Sequence, residues 1–513
     1  MAGNGGDGIE LGYEVSRTVP FPNLADVSGV SRVGPPVEQG LEAVHFDTSA
    51  LDLARHGVTL LRRAGGEDAG WQLALPADGD GGTDVRWPLT EADQVPDQVP
   101  EALLGLVRAL VRDRPVGPVA RIRTRRREYP LLGSEDRTLA WVCDDEVEAE
   151  VLDRSGAAEQ WREWRIRAAE ADGALLDGVA TRLAEAGAAP GAARSELSRV
   201  LGDTVPHRRD RPSRIELARG TVGQLFAAVL AEQVARLHRR DVSFRRERPG
   251  SVHKLRICTR RLRSALRTYR PILDRVAVDS LCEELRWLGE SLGRARDAEV
   301  QREHLLAVLA SEPTELVLGP VAARIDRELR AAYRAGVEHG KEALETDRYF
   351  RLLEALDELV GSPPFTARAD RTAREAVPRL LRRDLRKVEG EVERLRRAQD
   401  DRDRDEALHS VRKKAKRLRY AAESAEPVLG PGATRLARRA KRVHEVLGVH
   451  QDSVVTRRLL REYGVRAHLD GDNGFTFGRL HGLEQSRGER AQRDLRSAVK
   501  RLTSKKARRW VSG

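Results

Sequence analysis

Cysteine, methionine, lysine and the aromatic residues are scarce in this chain of 513 residues: three Cys, one Met, ten Lys and an aromatic content of 4%. Cys143, Cys258 and Cys282 are too few for a disulfide framework and match no zinc-ligand spacing, so the natural setting is a reducing cytoplasm. No apolar run approaches the ~18 residues of a membrane span. The start, Met1-Ala-Gly-Asn-Gly-Gly-Asp-Gly, has neither the basic region nor the apolar core of an export signal, so a cytoplasmic protein with no membrane partner is expected. Few aromatic rings leave little for stacking nucleic-acid bases.

Charge is plentiful, and it is unevenly placed. The net charge of +11 divides into 24 basic and 36 acidic residues over 1–210, net −12, and 67 basic and 44 acidic residues over 211–513, net +23. A patterned basic half implies an anionic partner. Of the basic residues 81 are Arg, the side chain suited to bidentate capture of phosphate, although a GC-rich genome gives the same bias, so position must decide.

Residues 9–205 read as short strands punctuated by Gly, Pro and Asp, at Tyr13–Val19, Gly40–Phe46, Val58–Arg63, Trp71–Leu75, Val119–Arg127, Thr138–Cys143, Val147–Leu152 and Trp161–Ala168, with helices at Glu101–Val111 and Gly173–Ala186. The expectation is an α+β domain built on an antiparallel β-barrel. A polar linker, 206–213, leads to an all-α half over 214–505, broken near Pro249-Gly250, Gly361-Ser-Pro-Pro364 and Gly430-Pro-Gly432. That half repeats itself, as about 214–360 and 367–505. His253-Lys-Leu-Arg256-Ile-Cys-Thr-Arg260-Arg261-Leu262-Arg263 matches His409-Ser-Val-Arg412-Lys-Lys-Ala-Lys416-Arg417-Leu418-Arg419 at an offset of 156. Leu292-Gly293-Arg-Ala-Arg-Asp297 then matches Leu447-Gly448-Val-His-Gln-Asp452 at 155, which predicts two copies of one helical bundle.

At ~100° per residue, His253, Arg256, Arg260, Arg263 and Arg267 share an arc of about 80°, while Leu255, Cys258, Leu262, Leu266 and Tyr269 gather opposite. The second copy repeats the stripe with His409, Arg412, Lys416 and Arg419 and adds Lys413 and Arg417. A merely solvated face would intersperse Glu, because like charges one turn apart cost ~0.2–0.5 kcal/mol per pair. The same unfavourable pattern twice, each time behind a His, points to anion binding. Cations at i+3 and i+7 from each His oppose a metal, so no metal or cofactor is expected.

The paired His-x-x-Arg-x-x-x-[Arg/Lys]-Arg-Leu-Arg helices and the Leu-Gly-x-x-x-Asp segments resemble the CHAD domain, the conserved-histidine α-helical domain. The resemblance implies two pseudo-symmetric four-helix bundles facing each other across a basic channel for inorganic polyphosphate. It places His253, Arg256, Arg260, Arg261, Arg263, Arg267, His409, Arg412, Lys413, Lys416, Arg417, Arg419 and Lys441 at that channel, and it suggests association with polyphosphate granules.

The first 205 residues resemble the CYTH domain, the triphosphate tunnel fold, at Phe46-Asp47-Thr48, Gly57-Val-Thr-Leu-Leu-Arg62-Arg63, Gly70-Trp71-Gln-Leu-Ala74-Leu-Pro76 and Ala120-Arg121-Ile-Arg123-Thr-Arg125. That resemblance implies an eight-stranded barrel holding triphosphate with basic residues and metal with Glu. This sequence departs from the pattern. Glu-x-Glu-x-Lys reads Glu14-Val-Ser16-Arg-Thr18; Leu61 and Ala74 stand where Arg and Lys are expected; the late acidic strand keeps Glu163 but carries Arg165 and Arg167. Guanidinium groups there would oppose a metal, so an inactive barrel is expected. Arg63, Arg121, Arg123 and Arg125 could retain an anion, or the Arg121 to Arg127 alternation could pair across strands with Asp144, Glu146, Glu148 and Glu150. The expectation is a non-enzymatic polyphosphate binder. The alternatives are a metal-dependent triphosphatase or polyphosphatase in the barrel, or a nucleic-acid binder; nothing in the sequence sets the oligomeric state.

Overall fold

The computed structural model describes residues 10–66, 68–76, 83–89, 98–152, 158–169, 173–191, 196–202, 212–505, 507 and 510. Residue 9 and the 206–211 part of the expected linker lie outside the described residues. The chain divides into two compact units, Met1–Arg209 and Asp210–Gly513.

The first unit is one antiparallel sheet with four short helices. Its strands are β1 (Glu10–Val15), β2 (Arg32–Val33), β3 (Val37–Asp47), β4 (Thr59–Ala64), β5 (Gly70–Leu75), β6 (Thr83–Trp87), β7 (Gly117–Leu132), β8 (Thr138–Val151), β9 (Glu159–Ala168) and β10 (Ala189–Pro190). Its helices are α1 (Asp52–Arg55), α2 (Glu101–Val111), α3 (Gly173–Glu185) and α4 (Glu196–Leu201). The ladder runs β10-β1-β9-β8-β7-β3-β4-β5-β6, with β2 on β7. Among the described residues no pairing joins its two ends. The segments expected as separate strands at Thr138–Cys143 and Val147–Leu152 are one strand, β8. Its alternation continues through Asp144, Asp145 and Glu146, because Arg126 and Arg127 of β7 lie opposite and compensate the acids. The first strand stops at Val15, short of Val19, and β6 was not foreseen.

Separate apolar clusters fill the two ends of the sheet. Trp164, Ile166, Val142 and Tyr13 pack under Leu176, Val179 and Leu183 of α3. Phe46, Leu60, Trp71 and Leu73 pack under Leu103 and Val107 of α2. Asp47, in one of the CYTH-like motifs, accepts the backbone N–H groups of Thr48, Leu53 and Ala54 at 2.7, 2.9 and 2.9 Å, so that this motif tethers the end of β3 to α1.

The second unit is helical: α5 (Arg214–Arg219), α6 (Val222–Arg245), α7 (Ser251–Tyr269), α8 (Arg275–Ser291), α9 (Gly293–Ala310), α10 (Val321–Leu344), α11 (Asp347–Gly361), α12 (Ala373–Arg397), α13 (Asp401–Ser424), α14 (Glu426–Leu429), α15 (Pro431–Leu469) and α16 (Phe475–Leu502). Thr221 and Asp274 cap α6 and α8 with their side chains, and Pro431 opens α15 at a position where its missing N–H costs nothing. One packing pattern occurs twice. α6 lies on α7, α7 on α8 and α9 on α10; α12 lies on α13, α13 on α15 and α15 on α16. The repeat offset drops from 156 to 155 where the copies differ: α8 and α9 are interrupted at Leu292, whereas α15 runs on without a break. The hairpins α9–α10 and α15–α16 share a core through Leu305, Ile325, Leu460, Tyr463 and Phe477, which joins the copies.

Gly336 permits the close approach of α10 to α9, since a Cβ there would lie 2.4 Å from the backbone nitrogen of Ala295. Overpacking of this kind costs ~1–3 kcal/mol, more than the ~1 kcal/mol that Ala gains over Gly in a helix. Gly336→Ala is therefore expected to lower stability in denaturant titrations by about 1–2 kcal/mol. Gly390→Ala in α12, where a Cβ meets nothing within 4 Å, is expected to leave it unchanged or raise it.

Candidate functional site

Helices α7 and α13 bring their basic stripes together. Leu255, Leu262 and Leu266 of α7 and Val411, Ala415 and Leu418 of α13 are buried, which fixes the rotation of each helix and turns the cations to the opposite side. Ser264 Oγ donates to the Arg417 carbonyl at 3.5 Å, Arg260 donates to the Tyr420 hydroxyl at 3.3 Å, and the hydroxyls of Tyr269 and Ser424 lie 3.2 Å apart. Between the helices is a cavity of about 540 Å³. The expected residues Arg260, Arg263, Arg267, His409, Arg412, Lys413, Lys416 and Arg417 all line it, together with Arg286, Lys414 and Tyr420.

The electrostatics of this cavity are unfavourable in isolation. Burial, reinforced by repulsion from Arg260, Arg412, Arg256 and Arg263, pushes the Lys416 ammonium down to about 6. Burial also lowers Arg412 and Arg263, with Arg260 and Arg267 respectively adding repulsion, although Asp452 pulls Arg412 the other way. His253 and His409 are held below the usual imidazole range by burial and by neighbouring guanidinium and ammonium groups. His444 of α15 is driven to about 3 by burial beside Arg412, Lys416 and Arg260. Among the described residues neither ring nitrogen of His444 has a hydrogen-bond partner, and the Nε atoms of Arg260, Arg263 and Arg412 lack one too. Two like charges ~4 Å apart repel by about 4 kcal/mol at an effective dielectric of ~20. An anion with several oxygens is the species that would relieve both the repulsion and the unmet donors.

Not every expected residue joins the cavity. Arg261 and Arg419 turn to Glu423, at 2.9 and 2.7 Å, and both lie over the Tyr420 ring. A nearby carboxylate and an aromatic face satisfy them where they are. Arg256 pairs with Asp297 at 2.8 Å, which gives the acid of the first Leu-Gly-x-x-x-Asp segment a structural task. Lys441 is an exposed residue 3.4 Å from Glu445, and His253 lies beside Arg296, Arg260 and Arg256 without lining the cavity. Arg286, Lys414 and His444 were missed. Arg286 sits between Glu283 and Glu290 on its own helix and looks compensated; Lys414 falls in a basic run whose signal was present; His444 has no basic or His twin in the first copy.

In the first unit, β7 and β8 set Arg121 opposite Glu150, Arg123 opposite Glu148, Arg125 opposite Glu146 and Arg127 opposite Asp144. Arg121 reaches Glu150 at 3.0 Å, Arg123 reaches Glu42 at 3.2 Å and Arg125 reaches Glu146 at 4.0 Å, so the suggested anion contacts at these three are occupied by carboxylates. Arg63 lies opposite Ala43, and its Nε has no hydrogen-bond partner among the described residues. The surviving acids are also engaged. Glu14 pairs with Arg199 at 3.0 Å, Glu163 accepts from Arg165 at 2.7 Å, and the buried Asp145 holds Arg126 at 2.7 Å and Arg165 at 3.4 Å. Arg167 pairs with Glu128 at 2.6 Å. A metal entering here would have to displace guanidinium groups.

Residues 228–461 match the CHAD domain family, so the helical unit is of the class its stripes suggested. The chain belongs to the family of protein Rv2226 of Mycobacterium tuberculosis strain H37Rv, with which it is 38% identical over 510 residues, 96% of either chain. Among solved structures it is similar to PptA from Streptomyces chartreusis, at 20% identity and a TM-score of 0.46 over 55% of this chain and 100% of that one. It is also similar to the CHAD domain from the plant Ricinus communis, at 24% identity and a TM-score of 0.45 over 58% and 96%. No helix among the described residues is long and apolar enough to cross a membrane.

The Lys416 pKa has a consequence for stability. Between the folded value of about 6 and the ordinary lysine value near ~10.4, the unfolded chain holds a proton that the folded chain lacks, so stability rises with pH through that window. Lys416→Met is expected to raise the thermal midpoint of the ligand-free protein at low salt and neutral pH by a few degrees, and to flatten its rise between pH 6 and 9.

Proposed function

We propose that the helical unit binds inorganic polyphosphate in the cavity between α7 and α13, in the cytoplasm and at polyphosphate granules, and that the first unit is a non-catalytic scaffold or docking element. The observation that carries the reading is the cluster of cations facing one cavity with their proton affinities depressed and donors unmet. Phosphate oxygens supply an acceptor to each guanidinium, and every phosphate unit repeats the same acceptor set, which suits a stripe with no base-reading groups. Among the described residues Tyr420 is the one Phe, Trp or Tyr lining the cavity, which disfavours recognition of nucleic-acid bases.

Titration of the full chain with long-chain polyphosphate tests this. With about five phosphates neutralised, affinity should fall roughly a hundredfold between 50 and 200 mM salt. Exchanging Arg260, Arg412 and Lys416 for Ala should abolish most of it, and duplex DNA at equal phosphate concentration should compete poorly. Phosphate raises the pKa of Lys416, so binding takes up a proton above pH 6 and affinity should rise as pH falls from 8 to 6. Affinity indifferent to salt and to the three substitutions would sink the reading.

The absence of catalysis is proposed on the pairing of Glu14, Glu163 and Asp145 with arginines. Incubation with tripolyphosphate and Mg²⁺ or Mn²⁺ should release no phosphate. Turnover lost in Glu14→Ala would restore the triphosphatase reading.

A further inference from the structure

A second cavity, of about 510 Å³, adjoins the first and shares Arg267, Lys414 and Arg417 with it. Its remaining cations come from outside the paired stripes: Arg270 just past the end of α7, Arg275 at the start of α8, Arg368 in the turn before α12, and Arg383 and Lys387 on α12. Beneath it Asp384 is fully buried, accepting from Thr268 at 3.0 Å and from Arg417 at 2.9 Å. Arg383 donates to the carbonyls of Arg267 and Thr268 at 3.1 and 2.7 Å, which ties α12 to the end of α7. Asp279 also lines it and holds Arg270, but two carboxylates cannot balance eight cations. Burial and repulsion from Arg417 and Arg383 lower Lys387 to about 8, and Arg275, Arg368 and Lys414 form no ion pair among the described residues.

The pseudo-symmetric end of the unit is built differently. At the 156-residue offset, Arg267 and Arg270 correspond to Glu423 and Glu426. Thr221 and Thr372 stand at the N-caps of α6 and α12, and in that register Arg383 and Lys387 correspond to Glu232 and Arg236. There Glu423 holds Arg261 and Arg419, Glu426 holds Arg214 and Glu232 holds Arg236. One end carries surplus positive charge, and its twin is neutralised by carboxylates.

We infer that the cavity bounded by α7, α8, α12 and α13 is a second condensed-phosphate site, through which a chain too long for the first cavity continues at this end only. The inference rests on the polyphosphate reading of the first cavity. Two ligands separate the sites: tripolyphosphate, short enough for the first cavity alone, and a chain of several tens of phosphates. In the full-length protein, the triple variant Arg275→Gln, Arg368→Gln, Lys387→Gln should weaken the long chain about tenfold or more and leave tripolyphosphate within twofold. Arg236→Gln at the twin position should change neither. Long-chain affinity unchanged in the triple variant, with tripolyphosphate still lost in Arg260→Ala/Lys416→Ala, would overturn the inference and leave the first reading intact. Parallel weakening of both ligands would also overturn it, as a general charge effect. A wild-type protein that binds neither ligand would remove both readings together.

Discussion

Two helices that each carry a row of cations can face one another only if something else supplies the attraction. In the helical unit that attraction is apolar. Leu255, Leu262 and Leu266 on one helix and Val411, Ala415 and Leu418 on the other are withdrawn from water, and each such side chain contributes ~1.5–3 kcal/mol where it is large enough to matter. The core thus holds Arg260, Arg263, Arg412 and Lys416 in mutual repulsion, and Lys416 records it as a lysine that gives up its proton about where a histidine does. Stored in this way, the repulsion is available to an anion.

The sheet unit handles charge in the opposite manner. The arginines of β7 and the acids of β8 run side by side in one register, so these find counter-charges across the ladder: Arg121 with Glu150 and Arg126 with Asp145. The result is a face that is highly charged and locally neutral. Charge density alone therefore says little about ligand binding; what distinguishes the two units is whether the opposite sign stands within reach.

Much of this was legible because it is local. The period of 3.6 that placed Arg256, Arg260 and Arg263 on one line depends only on the helix, and the repeat confirmed which lines mattered. The alternation of Arg121 to Arg127 with Asp144 to Glu150 likewise needed only the strand period. What sequence could not give came from elements far along the chain. Glu423 of α13 draws Arg261 of α7 away from the cavity, α15 sets His444 against Arg412 and Lys416, and α8 delivers Arg286; none of these neighbours is set by spacing within one helix. The merged β8 was misread for a related reason, since consecutive acids look like a turn until Arg126 and Arg127 are known to face them.

The missing residue in the second copy has a mechanical meaning. By running through the point where the first copy breaks at Leu292, α15 becomes a single rod of 39 residues, about 58 Å long at ~1.5 Å per residue. It carries His444 in its first half and Leu460 and Tyr463, in the core shared by both copies, in its second. The first copy makes the same traverse with two shorter helices, α8 and α9, that meet at Leu292. One unbroken helix therefore runs from beside Arg412 and Lys416, where His444 sits, to the joint between copies, whereas the corresponding path in the first copy passes from one helix to another at Leu292.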